Sequence, residues 1–393
     1  MKCNHLRVIL SLKIFCLAVI VPALAQGPQL HISSLRFTVP KPELTVADVD
    51  AQITAGPTIP LWKAVATTNG VNYDISLVGK SIFLVGPSES VSIPAPVVAL
   101  DLRFYNGSGT SPLTFRPETT NSCLPTASAV NLVLHSPVYQ NHSYTFGGKS
   151  IGTTQYVDAF QRANFYHYTN PGGTTPGYHV RLNPTANYYY YPTPFTVPLS
   201  QGHYVSSNCG NLGLVFESYI QNLIRSKVIP DLASAGIGPT SFPVVLIYNV
   251  LMCLPSGACG VGGFHDGYKN SAGTLQTYSV SEYDTSGHGP PDVEAVSHEV
   301  GEWMNDPAIN NKAPSWGNIG QVSGCFGFYE VGDPLTGHTA SVLMPNGKTY
   351  HPQEMAFISW FYRLVPSLGP SGLYSNLGTF KGYSKVCPPG GTN

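Results

Sequence analysis

Short runs of alternating or apolar residues, cut by glycine, proline and asparagine, fill the first part of the chain. "LWKAVATT", "YDISLVG", "SIFLVG" and "PVVALDLRFY" are read as strands because β-branched and aromatic residues dominate between turn formers. They predict a β-rich N-terminal region over residues 26–125, with a weak boundary at its end. Beyond it the texture becomes mixed. "VNLVLHSPVY" and "FPVVLIYNVLMC" read as strands, the second fully buried, and "NYYYYPTPFTVPL" reads as extended. "TTQYVDAFQRANFYHY" has helical spacing, with Tyr156, Phe160 and Ala163 on one side. "GLVFESYIQNLIRSKVIPDL" predicts a second helix that buries Leu214, Tyr219, Leu223 and Ile224. "TLQTYSVSEYD" alternates like a sheet edge. The stretch after it carries Val293, Val296, Val300, Trp303 and Met304 at helical spacing. Pro290 and Pro291 suit the first turn of that helix, and Asp306-Pro307 suits its end. The succession predicts an α+β fold, with residues 126–393 as one mixed α/β domain.

The first 25 residues are set apart. Lys2, His5 and Arg7 precede the apolar run "VILSLKIFCLAVIVPALAQ", which ends in Ala23-Leu24-Ala25. That is the pattern of a cleaved export signal. No later stretch is long and apolar enough to span a bilayer. Six cysteines remain after Ala25, an even number that suits disulfides in an exported chain. Only Cys253 with Cys259 is paired by proximity. Charge is sparse at 10% and nearly balanced, which argues against a nucleic-acid partner or a polybasic membrane patch.

The scarcity of charge gives one segment its weight. Five of the ten glutamates lie between Glu282 and Glu330. Within them stands "SHEVGEW", an H-E-x-x-E pattern of which a shuffled chain would hold roughly 0.008 copies. His298 and Glu302 lie four apart, so on a helix they project from one face and can grip one ion. Glu299 is placed between them to act on a water as general base. The bland alternative is a helix with a solvated charged face. A catalytic site with an open position needs a third ligand. Downstream "GCFGFYEVGDPLTG" offers Glu330 first and Asp333 second.

"SHEVGEWMNDP" followed by "YEVGDP" resembles a set of exported, zincin-like bacterial proteins with H-E-x-x-E and a later E-[IV]-x-D. It is more distantly similar to the phosphate-induced, EXORDIUM-like proteins of plants. The match runs from Tyr283 to Asp333. In gluzincin metallopeptidases the helix supplies two ligands and a later Glu the third. The resemblance therefore implies a zincin-like domain in which His298, Glu302 and Glu330 bind metal and Glu299 activates water. "VSEYD" would then be the edge strand that pairs with an extended peptide or protein substrate. The departure is Glu302, where the usual motif has a second histidine. One imidazole with two carboxylates neutralises a divalent ion, which acidifies water less and admits Mn²⁺ or Ca²⁺ beside the expected Zn²⁺.

Several other residues are candidates. His265 and Asp266 in "GVGGFHDGY" suit an alternative ligand or a group that supports one. Tyr268, Tyr283 and Tyr329 are candidate oxyanion stabilisers, and "NYYYYP" is a candidate stacking platform. Gly148 to Gly152 match G-x-S-x-G, with Ser150 as nucleophile. "GGKS" lacks the first glycine of a phosphate loop, since Ser143 stands there. Three functions follow: a secreted zinc metallopeptidase, a secreted or wall-associated binding protein that keeps a structural metal site, and a serine hydrolase.

Overall fold

The computed structural model describes residues 28–83, 90–107, 109–185, 189–191 and 193–387. The proposed signal segment lies outside them. The fold is mixed α+β, and two five-stranded sheets organise it. The first has the order Tyr189–Tyr190, Val97–Ala99, Val244–Tyr248, Leu275–Tyr283, Gly263–Lys269. Its pairings are parallel except the last, which is antiparallel. The second runs His31–Arg36, Ala258–Val261, Val250–Cys253, Asn211–Phe216, Gly202–Ser206. Strands from both sides of residue 125 therefore share hydrogen bonds in both sheets. The apolar run from Phe242 to Cys253 feeds both: it breaks at Asn249, whose φ is +48°, into strand Val244–Tyr248 of one sheet and Val250–Cys253 of the other.

The site helix, Glu294–Asn305, packs on strands Leu275–Tyr283 and Gly263–Lys269 and against helix Tyr156–Asn164. All twelve of its residues are buried, so no face of it is solvated. Trp303 stacks on Phe242 with ring centroids 3.7 Å apart and donates its Nε1 hydrogen to Thr277 Oγ1 at 3.1 Å. Gly301 is needed for close packing: a Cβ there would lie 2.1 Å from Met355 Sδ. The helix begins at Glu294, after the prolines, because Pro291 pairs with Asp284 and Asp292 takes a positive φ. It ends where Asp306 leaves helical geometry and caps the Asn310 and Asn311 amides with its carboxylate.

Other predicted elements differ as well. Residues 130–139 are not a strand: Ser128 caps a short helix, Ala129–Leu134, through the Asn131 amide. A short apolar run carries no period that separates the two states. Leu214 belongs to strand Asn211–Phe216, and the predicted helix starts only at Glu217. It continues through a π-helical turn, Ile224–Val228, to Ser234 and buries Ile220, Ile224 and Val228. Ser81 to Phe83 form no strand, and the rest of "SIFLVG" lies outside the described residues. Finally, Leu275–Tyr283 is not a sheet edge. It pairs on both sides, and Gly263–Lys269 is the edge.

Three disulfides join Cys253 to Cys259, Cys123 to Cys209 and Cys325 to Cys387. They are compatible with an extracellular location. No helix among the described residues is long and apolar enough to cross a membrane.

Candidate metal centre

Helical spacing brings His298 Nε2 to 3.1 Å from Glu302 Oε2, both fully buried. What aims them comes from elsewhere in the chain. Gln353 donates its amide to Gly332 O at 2.6 Å, which leaves its Oε1 to accept from His298 Nδ1 at 3.0 Å. The Nδ1 hydrogen is thereby committed, which leaves Nε2, beside Glu302 Oε2, as the nitrogen that could ligate a metal. Phe37 stacks on the same ring, with centroids 3.7 Å apart. Gly332 passes so close that a Cβ there would sit 2.4 Å from Nδ1. Glu302 is aimed in the same way. Its Oε1 accepts the Gly332 and Asp333 amides, each at 3.2 Å, so Oε2 is the free oxygen.

A second imidazole converges on that oxygen. His265, on the edge strand, donates Nε2–H to Asp306 O at 2.9 Å, and its Nδ1 is bare. Nδ1 lies 3.5 Å from Glu299 Oε2 and 3.7 Å from Glu302 Oε2. Glu330 Oε2 lies 4.0 Å from His265 Nε2, and Asp333 Oδ1 lies 3.8 Å from His298 Nε2 while bonded by Gln321. Glu299 lies against the edge strand, where a Cβ at Gly263 would come within 2.7 Å of its Oε1.

Among the described residues, six buried atoms here have no hydrogen-bond partner: His265 Nδ1, His298 Nε2 and both carboxylate oxygens of Glu299 and Glu330. Each such atom costs about 1–3 kcal/mol if left unpaired. Burial, with Glu302 next, pushes the carboxyls of Glu299, Glu330 and Asp333 well above their ordinary range. Burial would raise Glu302 as well, but His298 beside it brings it below its usual value. Burial also holds His265 down, toward the neutral form that ligates. A metal ion held here would answer these demands together. The donor spacings of 3.1 to 3.8 Å around Glu302 and His298 suit it, since tetrahedral zinc with bonds near 2 Å sets its ligands about 3.3 Å apart. Two groups, His298–Glu299–Glu302 and His265–Glu302–Glu330, each bring ligand atoms within 4.8 Å of one another and could hold a metal ion.

The remaining candidates lie elsewhere. Asp266 points away from His265, as neighbours on a strand do, and is held by Arg225, Tyr278 and Gln221. Tyr268 lies under the Arg225 guanidinium. The Tyr329 hydroxyl is taken up by Asn305 and Asn164. Tyr283 is buried, with Asp292, Tyr248 and Tyr350 as its polar neighbours. Ser150 is exposed on a hairpin strand, Lys149–Thr154, rather than on a strand-to-helix turn. In "NYYYYP", Tyr190 is exposed and Tyr191 packs edge-on against Phe195, while Asn187, Tyr188 and Pro192 lie outside the described residues.

Gln353, Gln321, Gly332 and Phe37 escaped the sequence reading. Glutamine and glycine carry no ligand chemistry, and Phe37 is some 260 residues from the helix it covers (298 against 37). The Phe37 backbone is clamped by Gln321, which accepts from its amide at 2.5 Å and donates to its carbonyl at 3.0 Å. Its neighbours bond the edge strand: Gly262 N donates to Arg36 O and Thr38 N to Gly263 O. This strap, Arg36 to Thr38, holds the buried Phe37 over the His298 ring. Comparison of the chain with protein-family models, with curated proteins and with solved structures found no match.

Proposed function

We propose that this chain is an exported metal-dependent hydrolase, a zinc metallopeptidase built on a variant H-E-x-x-E helix. The observation that carries the reading is the convergence of two bare imidazole nitrogens on the one free oxygen of Glu302, with Glu299 alongside. His298 and Glu302 would hold the ion, with Glu330, Asp333 or His265 completing the set. Bound there, a divalent ion polarises a carbonyl and stabilises developing negative charge. Glu299 takes a proton from the attacking water and hands it to the leaving amine. Its burial excludes bulk water from that transfer. The edge strand supports a peptide as substrate. The backbone groups at Gly262 and Gly263 already bond an extended segment, the chain's own Arg36 to Thr38.

Metal analysis of the purified mature protein, combined with a mixed peptide library, tests this. Glu299→Gln should keep the metal and lose cleavage by about 100-fold or more. A protein that holds no stoichiometric metal refutes the reading. Full burial of every ligand favours one other function, a secreted binding protein whose metal holds the fold. In that case Glu299→Gln changes nothing measurable, while His298→Ala unfolds the chain.

A further inference from the structure

We infer that the centre holds two divalent cations, bridged by Glu302, rather than one. The inference rests on the metal reading above and adds a second ion and its ligands. The two histidines fall in different ligand groups, and Glu302 is the residue common to both. Glu302 is built for a bridge. Two backbone amides occupy its Oε1, so Oε2 alone faces the imidazoles, 3.1 Å from His298 Nε2 and 3.7 Å from His265 Nδ1. One position then takes His298, Glu299 and Glu302, with Asp333 Oδ1 3.8 Å from His298 Nε2. The other takes His265, Glu302 and Glu330. Glu299 Oε2, 3.5 Å from His265 Nδ1, lies between the two.

Glu299, Glu302, Glu330 and Asp333 are all buried, and their ion pairs among the described residues are with histidine, none with lysine or arginine, so no basic side chain takes the place of a cation beside them. Glu299 groups with His298 and Glu302, and Glu330 with His265 and Glu302, so each histidine has its own unpartnered carboxylate beside the shared Glu302. Ions about 3.5–4 Å apart, as in two-metal hydrolases, are the spacing a single bridging oxygen allows.

The test uses the full mature protein stripped of metal and reloaded with Mn²⁺ or Zn²⁺. Elemental analysis should find two ions per chain, and the Mn²⁺ form should show the spin-coupled electron paramagnetic resonance of a close pair. Glu330→Gln should drop the count to one and restore an isolated Mn²⁺ spectrum. One ion per chain in the native protein, or two ions without coupling, overturns the bridged pair and leaves the metal reading standing. No bound ion overturns both. The native-protein spectrum decides the matter even if Glu330→Gln fails to fold.

Discussion

Gln353 is the residue on which the aim of His298 depends, and replacing it separates metal affinity from fold stability. Gln353→Leu keeps the volume and deletes both bonds of the side chain, the 3.0 Å acceptor for His298 Nδ1 and the 2.6 Å donor to Gly332 O. Two buried groups lose their partners, at about 1–3 kcal/mol each. The metal-free protein should therefore be less stable by at least about 2 kcal/mol. The imidazole is also released from its tautomer. Supporting bonds of this kind are worth about 10- to 100-fold in metal affinity, or roughly 1.4–2.7 kcal/mol. Gln353→Glu is the companion variant. A carboxylate still accepts from Nδ1 but cannot donate to Gly332 O. It loses only the Gly332 bond but sets a carboxylate against that carbonyl, so it too should lower apo stability, yet it should bind metal at least as tightly as the native protein. Competition against a chromogenic chelator measures affinity, and denaturant unfolding of the stripped protein measures stability. If the Leu variant binds metal as the native protein does, Nε2 of His298 is not the ligating atom and the centre is misassigned.

Two further outcomes follow. Phe37→Ala should speed extraction of the metal by chelator about 10- to 100-fold, because burying a phenylalanine contributes about 1.5–3 kcal/mol to keeping the strap closed. An unchanged rate, by stopped-flow absorbance, would mean that the ring is not the barrier. Asp101 is buried beside Arg116, and burial together with Glu118 pushes its carboxyl up to about 7. A raised acid binds its proton more tightly when folded, so its contribution is full below about pH 4 and is lost as pH rises toward 7. Asp101→Asn should flatten that fall in stability, read from urea midpoints across the range; an unaltered slope refutes the assignment.

The strap links fold to function in a way that the motif alone does not suggest. Arg36 to Thr38 bond the edge strand while Phe37 covers His298, so one short segment joins a sheet edge to the candidate centre. Under the proposed hydrolase reading, a substrate would have to displace it.

Local periodicity was enough to determine the site helix, its buried apolar stripe and the pairing of His298 with Glu302, because residues four apart on a helix share a face in any surroundings. The Cys253–Cys259 bridge was legible for a similar reason, since few residues separate the two. Runs without a distinguishing period were not. Residues 130–134 read as a strand but fold as a helix that Ser128 caps, and Leu275–Tyr283 reads as a sheet edge but pairs on both sides. The tertiary structure alone decided that no face of the site helix meets water, that His265 stands opposite His298, and that Gln353 and Phe37 hold its ring. Those contacts join positions far apart in the chain, and burial, not spacing, is what turns four scattered carboxylates and two imidazoles into one demand for metal.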